Sequence, residues 1–216
     1  MLRLRYMQMA DVPQVMRIES AAFSDSWSAR SYYFEINESL VSYMVVLEGE
    51  VPAATSQTNN PSRTTWGRWW ARWRSTQQAT QQVEWVILGY GGLWRVQDEA
   101  HISTIASDPQ QRRKGYGEAL LLGMILKAVH LGAEYVVLEV RVSNTSAQAL
   151  YLKHGFEITS VKPQYYQNNL EDAYDMRLLN IQDEAVQARL RTAYADLSQR
   201  LNLQDEYTCA RHPRLG

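Results

Sequence analysis

Residues 100–117 read Ala-His-Ile-Ser-Thr-Ile-Ala-Ser-Asp-Pro-Gln-Gln-Arg-Arg-Lys-Gly-Tyr-Gly, and the order of residue types in them decides the fold. Ala100 to Ala106 is a strand-like run that turns at Asp108-Pro109. The loop Arg112-Arg113-Lys114-Gly115-Tyr116-Gly117 follows, and then a long apolar helix from Glu118 to Leu131 carrying Ala119, Leu120, Leu121 and Met124. Glycines at a helix start let the chain turn tightly and aim several free N–H groups at one point, where the positive end of the helix dipole adds to them. The three neighbouring cations suit a pyrophosphate. A plain basic turn before an amphipathic helix has the same composition, and the six loop residues alone do not separate the two. The strand before and the helix after favour an anion cradle. The spacing is not that of a Walker loop, which ends Gly-Lys-Ser/Thr, and the third glycine of a dinucleotide fingerprint is missing.

Outward from this segment the pattern stays regular. Downstream, Tyr135 to Val140 reads as a strand bearing Glu139 near its end. Residues 144–156 add a short helix with Tyr151, closed by Gly155-Phe156. Upstream, Leu2, Leu4 and Tyr6 alternate with Arg3 and Arg5, the period of a half-buried strand. Asp11 and Pro13 open a helix through Phe23, and Ser28 is a cap for a second one through Ile36. Tyr43 to Leu47 and Val83 to Trp94 are β runs, the second with Gly89, Gly91 and Gly92 marking a bulge or a close backbone approach. Glu157 to Val161 and Ala173 to Leu179 are strands around a polar turn, Pro163 to Leu170. A helix is expected from Gln182 to about Leu201, and the residues after it show no pattern and are expected to fray. Seven strand candidates, with helices after the first, fourth and fifth, predict an α/β fold with a mixed sheet.

Composition excludes several classes. Net charge is −1, which argues against a nucleic-acid binder over its whole surface. The single cysteine excludes an intrachain disulfide and speaks against a structural zinc site. No run approaches the ~18–20 apolar residues of a membrane span, and the first residues are not a secretory signal, so a cytoplasmic protein is expected.

The Arg-x-x-Gly-x-Gly loop resembles the acetyl-CoA motif of the GCN5-related N-acetyltransferases (GNAT). Leu138-Glu139-Val140-Arg141-Val142-Ser143-Asn144, with Ala149-Leu150-Tyr151 and Gly155-Phe156, resembles their ribosomal-protein-alanine branch (RimI). The likeness covers residues 1–180 in outline and is specific from Ile102 to Phe156. It implies a GNAT domain over 1–180, mostly antiparallel, in which strands four and five splay apart to admit a pantetheine arm, and a C-terminal helical extension over 181–216. It implies that Ile105, Ala106 and Ser107 face that arm through backbone groups. Arg112, Arg113, Lys114, Gly115, Tyr116, Gly117 and Glu118 would surround the pyrophosphate, with Asn144 also on the coenzyme. Ser107 stands where an aliphatic residue is common.

Within that frame Glu139 is the candidate base that deprotonates an acceptor ammonium, directly or through water, and Tyr151 the acid for the leaving thiolate. A strand-end acid paired with Arg141 and a packed core tyrosine are the plainer readings of the same residues. His101, His130 and His154 show no metal-ligand spacing and are read as structural or surface residues. Trp27, Tyr165 and Tyr166 border the peptide entrance by resemblance, Trp27 being equally suited to plug the core. Glu171 and Asp172 offer acidity toward a basic N-terminal segment. The expected reaction is transfer of acetyl from acetyl-CoA to a protein N-terminus, an N-terminal alanine of a small-subunit ribosomal protein, without metal or covalent intermediate. A broader N-terminal or lysine acetyltransferase, and an acetyl-CoA-binding module without turnover, are the alternatives.

Residues 52–82 interrupt the domain between strands two and three. They are rich in Thr, Ser, Gln and Asn, and carry Trp66, Trp69, Trp70 and Trp73 at helical spacing, with Arg68, Arg72 and Arg74 largely off that face. Covering the sheet, binding RNA through 63–74, and lying on a membrane surface stay open for this segment.

Overall fold

The computed structural model describes residues 1–52 and 83–214. The Trp/Arg segment therefore lies outside the described residues, and its three readings with it. Thirteen helices and strands follow in chain order: β1 (Leu2–Tyr6), α1 (Val12–Ala22), α2 (Ala29–Asn37), β2 (Ser42–Pro52), β3 (Val83–Val96), β4 (Glu99–Ser107), α3 (Tyr116–His130), β5 (Tyr135–Arg141), α4 (Thr145–Lys153), β6 (Glu157–Tyr166), β7 (Glu171–Leu178), α5 (Glu184–Leu201) and β8 (Leu203–Asp205). They build one mixed sheet in the order β6-β7-β5-β4-β3-β2-β1-β8. The sheet has eight strands where the sequence predicts seven, the eighth being the three-residue β8. No helix among the described residues is long and apolar enough to cross a membrane.

Two cores, one on each face, fix the sheet. One gathers α3, α4 and α5 around Leu4, Leu93, Ile102, Val136 and Leu138; the other seats Val15, Ile18 and Tyr32 of α1 and α2 on Met44, Val46 and Tyr90. Helix α3 is apolar on nearly every side, with Ala119 to Ile125 all buried, because it lies between the sheet and α5. Its approach is close. A Cβ on Gly91 of β3 would lie 2.8 Å from the Met124 sulfur, so the glycine run of β3 is what lets α3 settle.

β4 and β5 run parallel but pair over three residues only, Glu99–His101 against Tyr135–Val137. β4 continues to Ser107 and β5 to Arg141, so beyond His101 and Val137 the two strands separate. Every second peptide group of β4 past this point faces the gap without a strand partner.

Over residues 203–214 the expected fraying is not found. β8 extends the sheet parallel to β1, and Tyr207 is fully buried with its hydroxyl donating to the Tyr43 carbonyl at 3.0 Å. The buried Lys127 ammonium of α3 donates to the carbonyls of Tyr207 and Ala210, ringed by Tyr6, Tyr43 and Tyr207 at 5.2–5.8 Å. Burial lowers the Lys127 pKa, and the rings and carbonyls are what hold its charge there. Tyr207→Ala is expected to destabilise the fold by about 3–5 kcal/mol, the usual cost of deleting a large buried ring, read as a lower urea midpoint.

Candidate active site

The loop after β4 is shaped by its own side chains. Asp108 accepts from the Gln110 amide and starts a 3-10 turn over Pro109–Gln111. Arg113 (φ 66°) and Gly115 (φ 88°) then take left-handed backbone, which reverses the chain into α3. A side chain at φ 88° is strained, so glycine is the residue that fits position 115. The first amides of α3, those of Tyr116, Gly117 and Glu118, precede any intrahelical acceptor, and Arg112, Arg113 and Lys114 lie exposed beside them. Among the described residues, a Cβ on Gly117 would touch nothing within 4 Å beyond its own helix turn. Open space, free amides and three cations fit a pyrophosphate.

Glu118 takes a different part from the one its position suggests. Its carboxylate accepts from Lys153 at 2.6 Å and from His154 at 2.9 Å, tying α4 to the start of α3. Burial pushes its carboxyl up, but these two donors outweigh it and hold the group below its ordinary value. What Glu118 offers the loop is its backbone amide. Asn144 caps α4, its side-chain oxygen accepting from Ala147 N at 3.2 Å, and it stands exposed at the end of β5. Ile105, Ala106 and Ser107 lie on the part of β4 that has left β5.

Glu139 sits on β5 just past the divergence. Its Oε2 is 2.8 Å from His101 Nε2 on β4, and its Oε1 is 2.5 Å from Lys162 Nζ on β6. Burial raises its pKa, yet the bonds and charges of His101 and Lys162 outweigh that and leave the carboxyl below its ordinary value. Glu139 is therefore firmly ionised and a weak base alone. Its predicted partner, Arg141, turns away. Arg141 donates to Asn168, Asn169 and Glu171, and its guanidinium lies 3.7 Å from the centre of the Tyr166 ring. Glu171, bonded by Ser143 first and then by Arg141 and Asn169, is held down to about 2. Asp172 accepts from the Gln164 amide. The acids of this hairpin are thus engaged internally, which removes Glu171 as a free attractor of basic peptides.

Tyr166 ends β6, which runs five residues beyond the expected Val161, and its ring packs edge-on against Tyr165 at 5.2 Å. Burial pushes the Tyr166 phenol up to about 12. Tyr151 of α4 is 5 % exposed, and its phenol is pushed far up by burial and by the neighbouring Tyr166. Its hydroxyl makes no hydrogen bond to another described residue, and the phenol stays a neutral O–H donor. Trp27 packs against the core beneath the first helices. Its amide donates to the buried Glu19 at 2.7 Å, while its ring stacks on Trp94 at 6.3 Å, and Trp94 in turn packs edge-on against His101. Across the mouth, Asn168 of the β6–β7 turn bonds Ser24 of the α1–α2 loop.

The structure thus brings Glu139, Tyr165 and Tyr166 into one neighbourhood with Tyr151 behind Tyr166, and adds two residues beside Glu139: Lys162, and His101, which the sequence presents as structural or surface. The signal for His101 is its place between Ala100 and Ile102 of β4, whose side chains are buried on the other face of the strand. Among the described residues no group of three or more His, Cys, Asp or Glu is arranged to hold a metal ion.

A sequence profile of the Acetyltransferase (GNAT) family matches residues 12–156. The chain belongs to that family. Over 173 residues this acetyltransferase is 30 % identical to the putative ribosomal protein bS18-alanine N-acetyltransferase of Bacillus subtilis, covering 80 % of this chain and 92 % of that one. It is 29 % identical over 177 residues to an N-alpha-acetyltransferase of Sulfurisphaera tokodaii, 81 % of this chain and 90 % of the other. The crystal structure of the ribosomal-protein-S18-alanine N-acetyltransferase from Escherichia coli superposes with a TM-score of 0.60 at 25 % identity, over 83 % of this chain and 94 % of that one. The GNAT expectation and its RimI-type branch are borne out. The reaction is an N-acetyl transfer.

Proposed function

We propose that this acetyltransferase moves acetyl from acetyl-CoA to the α-amino group of a protein N-terminus in the cytoplasm, an N-terminal alanine of a small-subunit ribosomal protein being the leading candidate. The observation that carries the reading is the parting of β4 from β5, with the free amides of α3 at the foot of β4 and Glu139 on the opposing strand. Residues 1–180 supply this machinery, and 181–216 are an extension built onto it. The ribosomal substrate rests on the relatives' names; those of Bacillus subtilis and Escherichia coli are named for bS18 alanine.

In this reading Arg112 to Glu118 hold the pyrophosphate, and β4 from Ile105 to Ser107 binds the pantetheine arm through backbone groups. The acceptor ammonium is drawn to Glu139, and its proton passes to the His101–Glu139 pair, directly or through water. The neutral amine attacks the thioester carbonyl in a ternary complex. A C–N bond forms, the C–S bond breaks with its electron pair on sulfur, Tyr151 donates its O–H to the departing thiolate, and the proton that the nitrogen sheds as the amide forms returns to the Tyr151 phenolate, directly or through water. No enzyme nucleophile is needed.

Intact-mass measurement tests this directly. Peptides beginning with Ala, Ser or Met, and an Nα-blocked peptide with an internal lysine, are incubated with enzyme and acetyl-CoA. One acetyl group is expected on the alanine peptide and none on the blocked one. Acetylation of the lysine would place the protein among broader acetyltransferases, and no product on any peptide would support a binding module.

A further inference from the structure

Glu139 and Asp175 lie directly opposite each other on β5 and β7. Two carboxylates in cross-strand register repel, and a cation between them is what such a pair calls for. Lys162 provides it: its Nζ is 2.5 Å from Glu139 Oε1 and 3.3 Å from Asp175 Oδ2. The Tyr165 ring lies 5.5 Å from the same nitrogen. A carboxylate beside an aromatic face is the environment in which an alkylammonium binds. With Glu139 Oε2 taken by His101, Oε1 is the oxygen an acceptor ammonium meets, and Lys162 is already there.

We propose that the Lys162 ammonium occupies the seat of the acceptor's α-ammonium, and that an incoming acceptor displaces it from Glu139 onto Asp175. This rests on the N-terminal acetyltransfer reading above. The side chain has room to move, being 38 % exposed, and the destination is prepared. Asp175 Oδ1 is held by Thr159 and Arg177, whereas Oδ2 has Lys162 as its partner among the described residues. A shift of about one hydrogen-bond length exchanges one counter-ion for the other, so neither ammonium is left unpaired. Lys162 is then a positioning residue that makes the seat selective: a neutral or blocked chain end brings no charge with which to replace it.

The test is calorimetric titration of the CoA-saturated protein with an alanine-initiated peptide and with the same peptide carrying an acetylated N-terminus. Lys162→Met is expected to tighten the free-amine peptide by about two- to fivefold, the worth of a partly exposed ion pair, and Asp175→Asn to weaken it by a similar factor. Lys162→Arg, which keeps a cation on Glu139, should bind like the wild type. The blocked peptide should respond to none of the three. A structural role would move both peptides together, and that result, or unchanged affinity for the free amine in both Lys162→Met and Asp175→Asn, would overturn the proposal. Turnover by the wild-type protein, measured in parallel, reports separately on the acetyltransfer reading.

Discussion

Glu139→Gln is expected to lower kcat/KM for the acceptor by about a hundredfold or more while leaving the KM for acetyl-CoA unchanged. The substitution preserves shape and removes charge. It deprives the acceptor ammonium of its anchor and His101 of the carboxylate that would steady a proton on its ring. His101→Gln should show a comparable loss with Glu139 intact, and the double variant should fall little further, since the two act as one unit. The pH dependence is informative as well. The Glu139 carboxyl is depressed below its ordinary 4.5, so its share of fold stability is fully present above that value and is lost only as pH falls through the lower folded one. Any acid-side decline in wild-type activity above pH 4.5 should therefore follow protonation of the acceptor amine and not of Glu139, which is still ionised there. Full activity in both single variants would remove the pair from the chemistry.

The second large effect is expected at Gly117. The Cβ of a valine there meets no other described part of the protein within 4 Å, its own helix turn aside, so the thermal midpoint should hold. If the pyrophosphate lies against the first turn of α3, that side chain stands in its place and costs one or two charge-assisted hydrogen bonds. The KM for acetyl-CoA should then rise about ten- to hundredfold, with the KM for the acceptor little changed. Gly115→Val is the contrasting case. At φ 88° the added side chain strains the backbone, and both stability and cofactor affinity should suffer. A Gly117→Val enzyme with normal acetyl-CoA kinetics would show that the coenzyme does not use this helix end.

Local pattern and local chemistry were legible where they coincide. The run from Ala100 to Leu131 folds as a strand, a left-handed turn and an apolar helix because each residue type suits its own position. The glycines of β3 announce the close helix before the helix is seen. Pairings between distant segments were not legible. Glu118 at a helix start looks like a loop residue, and only the folding of α4 onto α3 presents Lys153 and His154 to it. His101 has no distinguishing neighbours in the chain; parallel pairing of β4 with β5 is what sets it beside Glu139. Arg141 sits two residues from Glu139 on the same face of its strand, yet the hairpin amides and Tyr166 claim it. Residues 203–214 have no periodicity because they dock one at a time, Tyr207 into the tyrosine cage and His212 against Tyr6 and Tyr43. Patterned amphipathicity is a property of elements, and a tail that packs residue by residue has none to display.

The parallel pairing of Leu2–Leu4 with Leu203–Asp205 bears on how the molecule is made. β1 is synthesised about two hundred residues before β8, and one of its edges stays uncovered until β8 arrives. Over that interval the strand offers unpaired amides and carbonyls beside apolar side chains, the condition under which nascent chains recruit chaperones or join one another. Removing residues 203 onward should accordingly lower the yield of soluble protein more than it lowers the activity of the molecules that do fold.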